Sequence, residues 1–276
     1  MACISPILIQ SPLTPDAHIY VPCGRCAWCR RLMQTDWYCR FLEERKENPV
    51  VSFLTLTYSP DNLPLICDEN NGEIKSVAQK TDIQKYIKRL RKENKQFKYF
   101  VVSEHGKQLT KRVHYHALMF SKTHYNYQSQ WTKGFSMQLP ATEGAMRYVT
   151  KYILKGSERN SEIMLCSKKP AIGSSYLSAQ MIDYQLQKDE PCYTHPGGAV
   201  SPLPRYYRKK IWNENTLPHY LETHKNTILE TMESSVKHNT LIRRYKKKYG
   251  SDEGFYDWLN AHYERDYNKQ LTINNS

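Results

Sequence analysis

His114, Tyr115 and His116 lie in an apolar, β-branched stretch that the sequence predicts as a strand over 113–120. Side chains on a strand alternate between its two faces, so both histidines point to one side and the tyrosine to the other. Two imidazoles side by side on a rigid strand can hold a metal ion together. The simpler alternative is a half-exposed polar face without a ligand, since short motifs also occur by chance.

A second apolar strand, predicted over 98–104, precedes the histidines and is joined to theirs by a short polar loop that contains Gly106. A β-hairpin is the simplest interpretation of this stretch. Glu104 and His105 end the first strand, beside the histidines, and either of them could supply a third metal ligand.

A helix is predicted over 140–156, with Thr142 as a suitable N-cap and Gly156 as a suitable C-terminal stop. It carries Tyr148 and Tyr152, which are four residues apart and therefore share one helical face. A pair of tyrosines at this spacing can offer two hydroxyl groups to one site. The alternative is ordinary core packing, because aromatic stripes on helices are usually buried.

Five of the eight cysteines fall within the first 39 residues, and in a chain without an export signal such clustering indicates metal ligation rather than disulfides. These five are Cys3, Cys23, Cys26, Cys29 and Cys39. Two overlapping C-x-x-C units over 23–29 supply three thiolates, and Cys3 is the first choice for the fourth ligand of a structural zinc site, with Cys39 as a competitor. Free thiols in a half-buried segment are the alternative.

The elements that must position these residues follow from hydrophobic periodicity. A helix is predicted from residue 30 to about 47, a strand over 50–58, and a polar loop over 65–80. The next helix is predicted from Ile83 to about Asn94, with Thr81 or Asp82 as its cap. Its polar face carries the basic residues Lys88, Arg89 and Arg91, which indicate either a phosphate-binding surface or a solvated face.

The formal net charge of +13 indicates a polyanionic partner. Many of the 21 tyrosines stand among lysines and arginines, as in 85–89 and 204–210, and this mixture favours single-stranded nucleic acid, whose bases stack on aromatic rings. The alternatives are a merely basic surface or a protein that binds at a membrane surface. No apolar run approaches the thickness of a bilayer and no secretory signal opens the chain, so we expect a soluble intracellular protein without membrane contact.

The C-terminal third is predicted to be loop-rich over 160–200 and helical over 221–249. It carries further candidate DNA-binding residues, which are Lys168, Lys169, Arg205 and Arg208. A solvated surface is the alternative for each of them, although on a strongly basic chain they can grip a phosphate backbone.

The strand at 53–58, the two-histidine strand and the two-tyrosine helix occur in an order that resembles the HUH endonucleases, which start rolling-circle replication and in which a hydrophobic residue separates two metal-binding histidines. The chain resembles in particular the replication initiators of microviruses, small single-stranded DNA phages. The cysteine-rich opening, a Trp37-x-x-Arg40 motif followed by acidic residues, and a Pro-x-Ile-Gly segment at 170–173 extend the resemblance.

The sequence departs from the pattern of these initiators at a few positions. Val113 stands where proline is expected after an arginine, Tyr115 stands where a plain aliphatic residue is usual, and His105 replaces an aromatic residue after Glu104. None of these departures removes a catalytic group. Because His105 can also ligate a metal, the third ligand stays open, with Glu104 as the first choice.

The resemblance implies an α+β fold with a central antiparallel sheet of about five strands and packed helices, followed by a mainly helical C-terminal region. It implies a nicking and joining domain over 1–160, including the cysteine-rich segment, and a basic, loop-rich and helical region over 161–276 that contacts DNA. The implied partners are single-stranded DNA that carries the replication origin and the helicase and polymerase of the host, in the host cytoplasm.

The resemblance also implies Mg²⁺ or Mn²⁺ on His114, His116 and Glu104, a set of nitrogen and oxygen ligands that suits Mn²⁺ in particular. Tyr148 or Tyr152 would attack the scissile phosphate and form a 5′-phosphotyrosine. A free tyrosine, with a pKa of about 10, is a weak nucleophile at neutral pH. Lys151 or the field of the ion is expected to help its deprotonation.

Two other functions are consistent with parts of the sequence. A non-catalytic, zinc-stabilised protein that binds single-stranded nucleic acid explains the charge, the aromatic residues and the cysteines, but not the histidine strand with the tyrosine pair. An HUH transposase or relaxase would use the same chemistry in another role. The sequence contains no G-x-x-x-x-G-K-[ST] motif, which argues against a fused helicase.

Overall fold

The structure is a computed structural model that describes residues 3, 6–10, 18–67, 72–93, 95–106, 112–152, 163–188, 191–213, 215–217 and 219. The strands, in chain order, are β1 (Ile7–Gln10), β2 (His18–Val21), β3 (Val50–Thr57), β4 (Leu65–Cys67), β5 (Ile74–Ser76), β6 (Lys98–His105), β7 (Val113–Ser121), β8 (Ser136–Pro140), β9 (Met164–Cys166), β10 (Cys192–Thr194) and β11 (Val200–Pro202). The helices are α1 (Ala27–Glu47), α2 (Lys80–Lys92), α3 (Glu143–Thr150), α4 (Ala179–Leu186) and α5 (Arg205–Ile211).

A five-stranded antiparallel sheet in the order β8-β3-β7-β6-β9 confirms the predicted α+β fold. The three strands that the sequence predicts, β3, β6 and β7, are the central ones, because they are long and apolar on both faces. The edge strands β8 and β9 are shorter and more exposed, and their weaker apolar pattern explains why the sequence does not predict them.

The two faces of the sheet are covered by different helices. On one face, α2 buries Ile83, Tyr86, Ile87 and Leu90 against alternate residues of β3, β6 and β7. On the other face, α1 packs Phe41 and α3 packs Met146 and Val149 around Phe100 and Leu118. The histidine pair belongs to the face that is covered by α1 and α3, since side chains at even positions of β7 share that face.

A buried carboxylate anchors α1 to the sheet. Glu44 is fully buried and accepts hydrogen bonds from Nζ of Lys98 on β6 at 2.8 Å and from the backbone N–H of Gly173 at 2.8 Å. Nearby, Nε of Arg40 donates to the carbonyl oxygen of Ile172 at 3.1 Å. The arginine of the Trp37-x-x-Arg40 motif and the Pro-x-Ile-Gly segment at 170–173 therefore contact each other, which gives both motifs a structural role.

Several predicted element boundaries differ from the structure. The loop predicted over 65–80 contains the hairpin of β4 and β5. Neither Thr81 nor Asp82 caps α2, which begins at Lys80 after Gln79, because Asp82 instead accepts a hydrogen bond from the Tyr58 hydroxyl at 3.0 Å. The region over 160–200, predicted as loop-rich, includes the short elements β9, α4 and β10.

The described chain forms two compact units. One comprises Asp36–Met181 and His195–Ala199 and holds the five-stranded sheet; the other comprises the described parts of Met1–Thr35, Ile182–Thr194 and Val200–Ser276. The predicted domain boundary after residue 160 stays a prediction, and the helix predicted over 221–249 lies outside the described residues. Among the described helices, none combines the length and apolar character that crossing a bilayer requires.

We expect Glu44→Ala to lower the free energy of unfolding by about 3–5 kcal/mol, because it leaves the Lys98 ammonium and the Gly173 N–H without their buried partner. Urea denaturation followed by circular dichroism measures the change. Glu47→Ala, at the exposed end of the same helix, is the control and should change the free energy by less than about 0.5 kcal/mol. Equal effects of the two substitutions would contradict the anchoring role of Glu44.

Candidate active site

The pairing register of β6 with β7 builds the core of the site. Glu104 lies directly opposite His114, and His116 lies two residues further along the same face. Oε2 of Glu104 is 3.3 Å from Nε2 of His114 and 3.1 Å from Nε2 of His116. The three ligand atoms lie within 4.8 Å of one another, which makes this a candidate metal site with one oxygen and two nitrogen ligands.

The structure decides between the two candidates for the third ligand. His105 follows Glu104 on β6 and therefore points to the opposite face, where its Nε2 lies 2.9 Å from the carbonyl oxygen of Ser76. Glu104 is the residue that joins the histidines. Tyr115 also points away from the site, and its hydroxyl lies 2.9 Å from that of Tyr58 in the core. The aromatic residue between the histidines thus serves packing.

The protonation state of His116 fits metal binding. Burial, together with the nearby charge of His114, lowers the pKa of His116 to about 4, although Glu104 acts in the opposite direction. At neutral pH the imidazole is therefore neutral, and its lone pair is open to a cation without the cost of losing a proton. Since a carboxylate oxygen and two imidazole nitrogens converge, the residues fit Mg²⁺ or Mn²⁺ by their chemistry.

Both tyrosines of α3 and its C-terminal extension lie beside this cluster. The ring centroids of Tyr148 and Tyr152 are each 5.5 Å from that of His116 and 5.0 Å from each other. Tyr148 is 38% exposed, whereas Tyr152 is 8% exposed. Burial raises the pKa of Tyr152, and contacts of its hydroxyl with Tyr148 and Glu104 raise it further. One hydroxyl-bearing ring is thus accessible from solvent and the other lies beneath it.

The start of α3 is fixed by Thr142, whose side chain accepts a hydrogen bond from the N–H of Ala145 at 3.1 Å, as the sequence predicts. Lys151 follows the last residue of α3, is exposed, and has its Nζ 6.0 Å from the centroid of the Tyr148 ring. The structure therefore brings all three predicted catalytic residues to one end of α3, although the predicted stop at Gly156 lies outside the described residues.

The candidate DNA-binding residues are not gathered at this site. Lys88, Arg89 and Arg91 belong to α2, which covers the opposite face of the sheet. The guanidinium of Arg89 donates to the carbonyl oxygen of Gln130 at 2.8 Å, which is a structural contact. Lys168 and Lys169 are exposed beyond β9. Contact of these residues with DNA stays a prediction.

Arg205 and Arg208 are exposed on α5, in the unit that also holds the N-terminal cysteines. In that unit, the Sγ atoms of Cys3, Cys23, Cys26 and Cys29 lie within 4.8 Å of one another. Cys39, the competing fourth ligand, is not part of this group. It belongs to the unit that holds the five-stranded sheet, where its Sγ lies 3.8 Å from Nε2 of His195.

Two residues of the site are not identified by the sequence analysis. Thr55 on β3 lies opposite His116, and its Oγ1 is 3.3 Å from Nδ1 of that histidine. Phe53, on the same face of β3, stacks on the His116 ring at 5.3 Å between centroids. Both hold the orientation of the imidazole. The pairing register of β3 with β7 would reveal them, but two strands without an intervening turn do not fix a register.

We expect Thr55→Val to weaken Mn²⁺ binding by about 10- to 100-fold, because the hydrogen bond to Nδ1 orients the ring that offers Nε2 to the metal. Electron paramagnetic resonance measures the binding through loss of the signal of free Mn²⁺. Thr81→Val, on the exposed first turn of α2, is the matched control and should leave the affinity unchanged. Unchanged affinity in Thr55→Val would show that this contact does not position the ligand.

Comparison with known proteins connects this site to DNA replication. Residues 51–157 match a family model of replication-associated proteins of the ORF2 type. Over 255 aligned residues the chain is 29% identical to Replication-associated protein VP4 of Bdellovibrio phage phiMH2K, with 75% of this chain and 76% of that protein covered. No solved structure matches the chain. Since the matched segment contains Glu104, both histidines and both tyrosines, the chain is similar to replication-associated proteins in the part that builds the site.

Proposed function

We propose that this protein is a phage replication initiator that nicks and rejoins single-stranded DNA at a rolling-circle origin by tyrosine transesterification, as the HUH endonucleases of microviruses do. The observation that carries the proposal is the convergence, on one sheet face, of a metal-ligating cluster and two tyrosine rings within 5.5 Å of His116. The similarity of residues 51–157 to replication-associated proteins supports the same function.

Glu104, His114 and His116 would hold Mg²⁺ or Mn²⁺ in this proposal. A bound ion would act as a Lewis acid on the scissile phosphate and offset the negative charge that develops on its oxygens. Thr55 and Phe53 keep the His116 ring oriented for this task. Because β7 lies in the middle of the sheet, the two imidazoles are held with little freedom to move.

The covalent step uses a tyrosine hydroxyl as the nucleophile. Its oxygen forms a bond to phosphorus while the bond from phosphorus to the 3′ oxygen breaks, which leaves a 5′-phosphotyrosine and a free 3′-OH, and the phenol proton is lost. Lys151, 6.0 Å from the Tyr148 ring, is placed to favour the phenolate through its charge. Since one phosphoester replaces another, rejoining requires no ATP.

The different exposure of the two tyrosines suggests an order of use. Tyr148 is open to solvent, and an incoming strand can reach it without rearrangement. Tyr152 is buried beside Glu104, and its raised pKa disfavours the phenolate until its surroundings change. We therefore assign the first attack to Tyr148 and the second cleavage, which cuts the regenerated origin and releases a circular strand, to Tyr152.

The remaining partners follow from this chemistry. The formal net charge of +13 favours binding of a single strand of DNA, with exposed Lys168 and Lys169 as candidate phosphate contacts in the unit that holds the site. The free 3′-OH has to be extended by a host polymerase, and a host helicase has to separate the strands, because the chain carries no helicase motif. These steps place the reaction in the host cytoplasm.

We expect Tyr148→Phe and Tyr152→Phe each to leave some cleavage, because the remaining hydroxyl still lies beside the cluster, and the double substitution to abolish the covalent protein–DNA adduct. The adduct is measured on a denaturing gel with single-stranded origin DNA. Tyr148→Phe should slow the first adduct more than Tyr152→Phe does. Tyr184→Phe, exposed on α4, is the control with full activity. An adduct that persists in the double variant would overturn the assignment.

We expect His114→Ala and His116→Ala to lower metal-dependent nicking by more than about 100-fold while DNA binding is largely kept, because each removes a metal ligand but no charge that contacts phosphate. Nicking is followed by gel electrophoresis and binding by fluorescence anisotropy. His124→Ala, an exposed histidine outside the cluster, should leave both unchanged. If the ligand variants nick normally, a non-catalytic or metal-independent role for the histidines is the better account.

A further inference from the structure

Four cysteines that the proposed function does not use come together near the N-terminus. Sγ of Cys23 is 3.9 Å from Sγ of Cys29, and Sγ of Cys26 is 3.9 Å from Sγ of Cys3. All four sulfur atoms lie within 4.8 Å of one another, although Cys3 is 20 residues before Cys23 in the sequence. The arrangement is therefore a tertiary contact and not only a property of the C-x-x-C turns.

The sulfur–sulfur distances are those of a metal site and not of disulfides. Tetrahedral coordination with zinc–sulfur bonds of about 2.3 Å places the sulfur atoms about 3.8 Å apart, close to the 3.9 Å of the two pairs. A disulfide requires about 2.05 Å between its sulfur atoms. All eight cysteines fall within the described residues, and none of them forms a disulfide.

The backbone around the cluster is arranged to stabilise negative sulfur. The N–H groups of Arg25 and Cys26 point at Sγ of Cys23, at 3.4 and 3.3 Å, and the N–H of Cys23 points at Sγ of Cys3 at 3.2 Å. Gly24 permits this turn because it adopts a positive φ of 74°, which other residues rarely do. N–H groups that converge on thiolates are a feature of a built ligand site.

The start of α1 adds a second source of positive potential. Cys26 precedes the first residue of α1, its carbonyl oxygen accepts the first helical bond from the N–H of Arg30 at 2.9 Å, and Cys29 lies in the first turn. That turn contains no acidic residue, so the thiolates take the position at the positive end of the helix that aspartate or glutamate usually occupies.

The site is closed. Cys3, Cys26 and Cys29 are buried, and the half-buried Trp28 packs against them. Four protein ligands complete a tetrahedron, so no coordination position is left for water or substrate. The cluster therefore differs in chemistry from the Glu104, His114 and His116 site, which offers a hard oxygen ligand and only three protein groups.

We propose that Cys3, Cys23, Cys26 and Cys29 hold one structural Zn²⁺ ion that fixes the N-terminal segment against the first turn of α1. The proposal is independent of the proposed nicking activity, because it rests on other residues and on a different metal. Its contribution is to folding: the four thiols meet only in the folded chain, so the binding free energy of the ion adds to the stability of this segment.

The test is the zinc content of the purified full-length protein, measured by plasma mass spectrometry after gel filtration. We expect one zinc per chain in the native protein and in the combined His114→Ala, His116→Ala variant. We expect less than about a tenth of that amount in the Cys23→Ser, Cys26→Ser double variant, because two lost thiolates open the tetrahedron. Cys67→Ser, at an exposed cysteine of β4, is the matched control and should keep its zinc.

Cobalt substitution keeps the test decisive if the cysteine variant fails to fold. Native protein loaded with Co²⁺ should show thiolate-to-cobalt charge-transfer absorption and the visible bands of a tetrahedral ion, which the histidine site cannot produce. Cys23→His should retain the metal with weaker charge-transfer absorption, because histidine is also a zinc ligand. Zinc retained in the cysteine double variant, absence of charge-transfer bands, or disulfides found by mass spectrometry in freshly purified protein would each overturn the proposal.

Discussion

The antiparallel register between β6 and β7 is the constraint on which the site depends. It places Glu104 opposite His114 and brings the oxygen of Glu104 within 3.3 Å of both imidazoles. A shift by one residue would turn the histidines into the core and bring Tyr115 to the surface of the site. The core prevents this shift, since Tyr115 is fully buried and its hydroxyl bonds to Tyr58 and to the backbone N–H of Gln79. Packing on one face of the sheet therefore determines the chemistry on the other.

The helices on the histidine face connect the metal-ligating cluster to its nucleophiles. The buried Glu44 ties α1 to β6 through Lys98 and to the segment that contains Gly173. The first turn of α3 is held against α1 by Glu143, whose carboxylate accepts a hydrogen bond from the Tyr38 hydroxyl at 2.9 Å. With Met146 and Val149 buried in the same core, Tyr148 and Tyr152 have a defined position relative to His116. The catalytic groups thus come from two different elements that share one core.

Much of the site could be predicted because its signals are local. The alternation of a strand places His114 and His116 on one face, and the spacing of four residues places Tyr148 and Tyr152 on one side of a helix. The choice of Glu104 over His105, and the roles of Thr55 and Phe53, depend on strand pairing between segments that are distant in sequence. The predicted cap of α2 was wrong because Asp82 binds Tyr58, a tertiary contact that overrides the local preference. The basic face of α2 was predicted as a surface, but only the structure shows that it lies across the sheet from the histidines.

The most direct test of tyrosine transesterification is to incubate the native protein with single-stranded circular DNA of its own replicon, with Mn²⁺ or with EDTA, and to separate the products under denaturing conditions. We predict a metal-dependent, detergent-resistant protein–DNA band, and proteolysis of that band should yield DNA attached to a peptide that contains Tyr148 or Tyr152. Tight binding without any covalent band on origin-containing DNA, or a linkage through another residue, would contradict the assignment of the tyrosines and leave the histidines without a catalytic role.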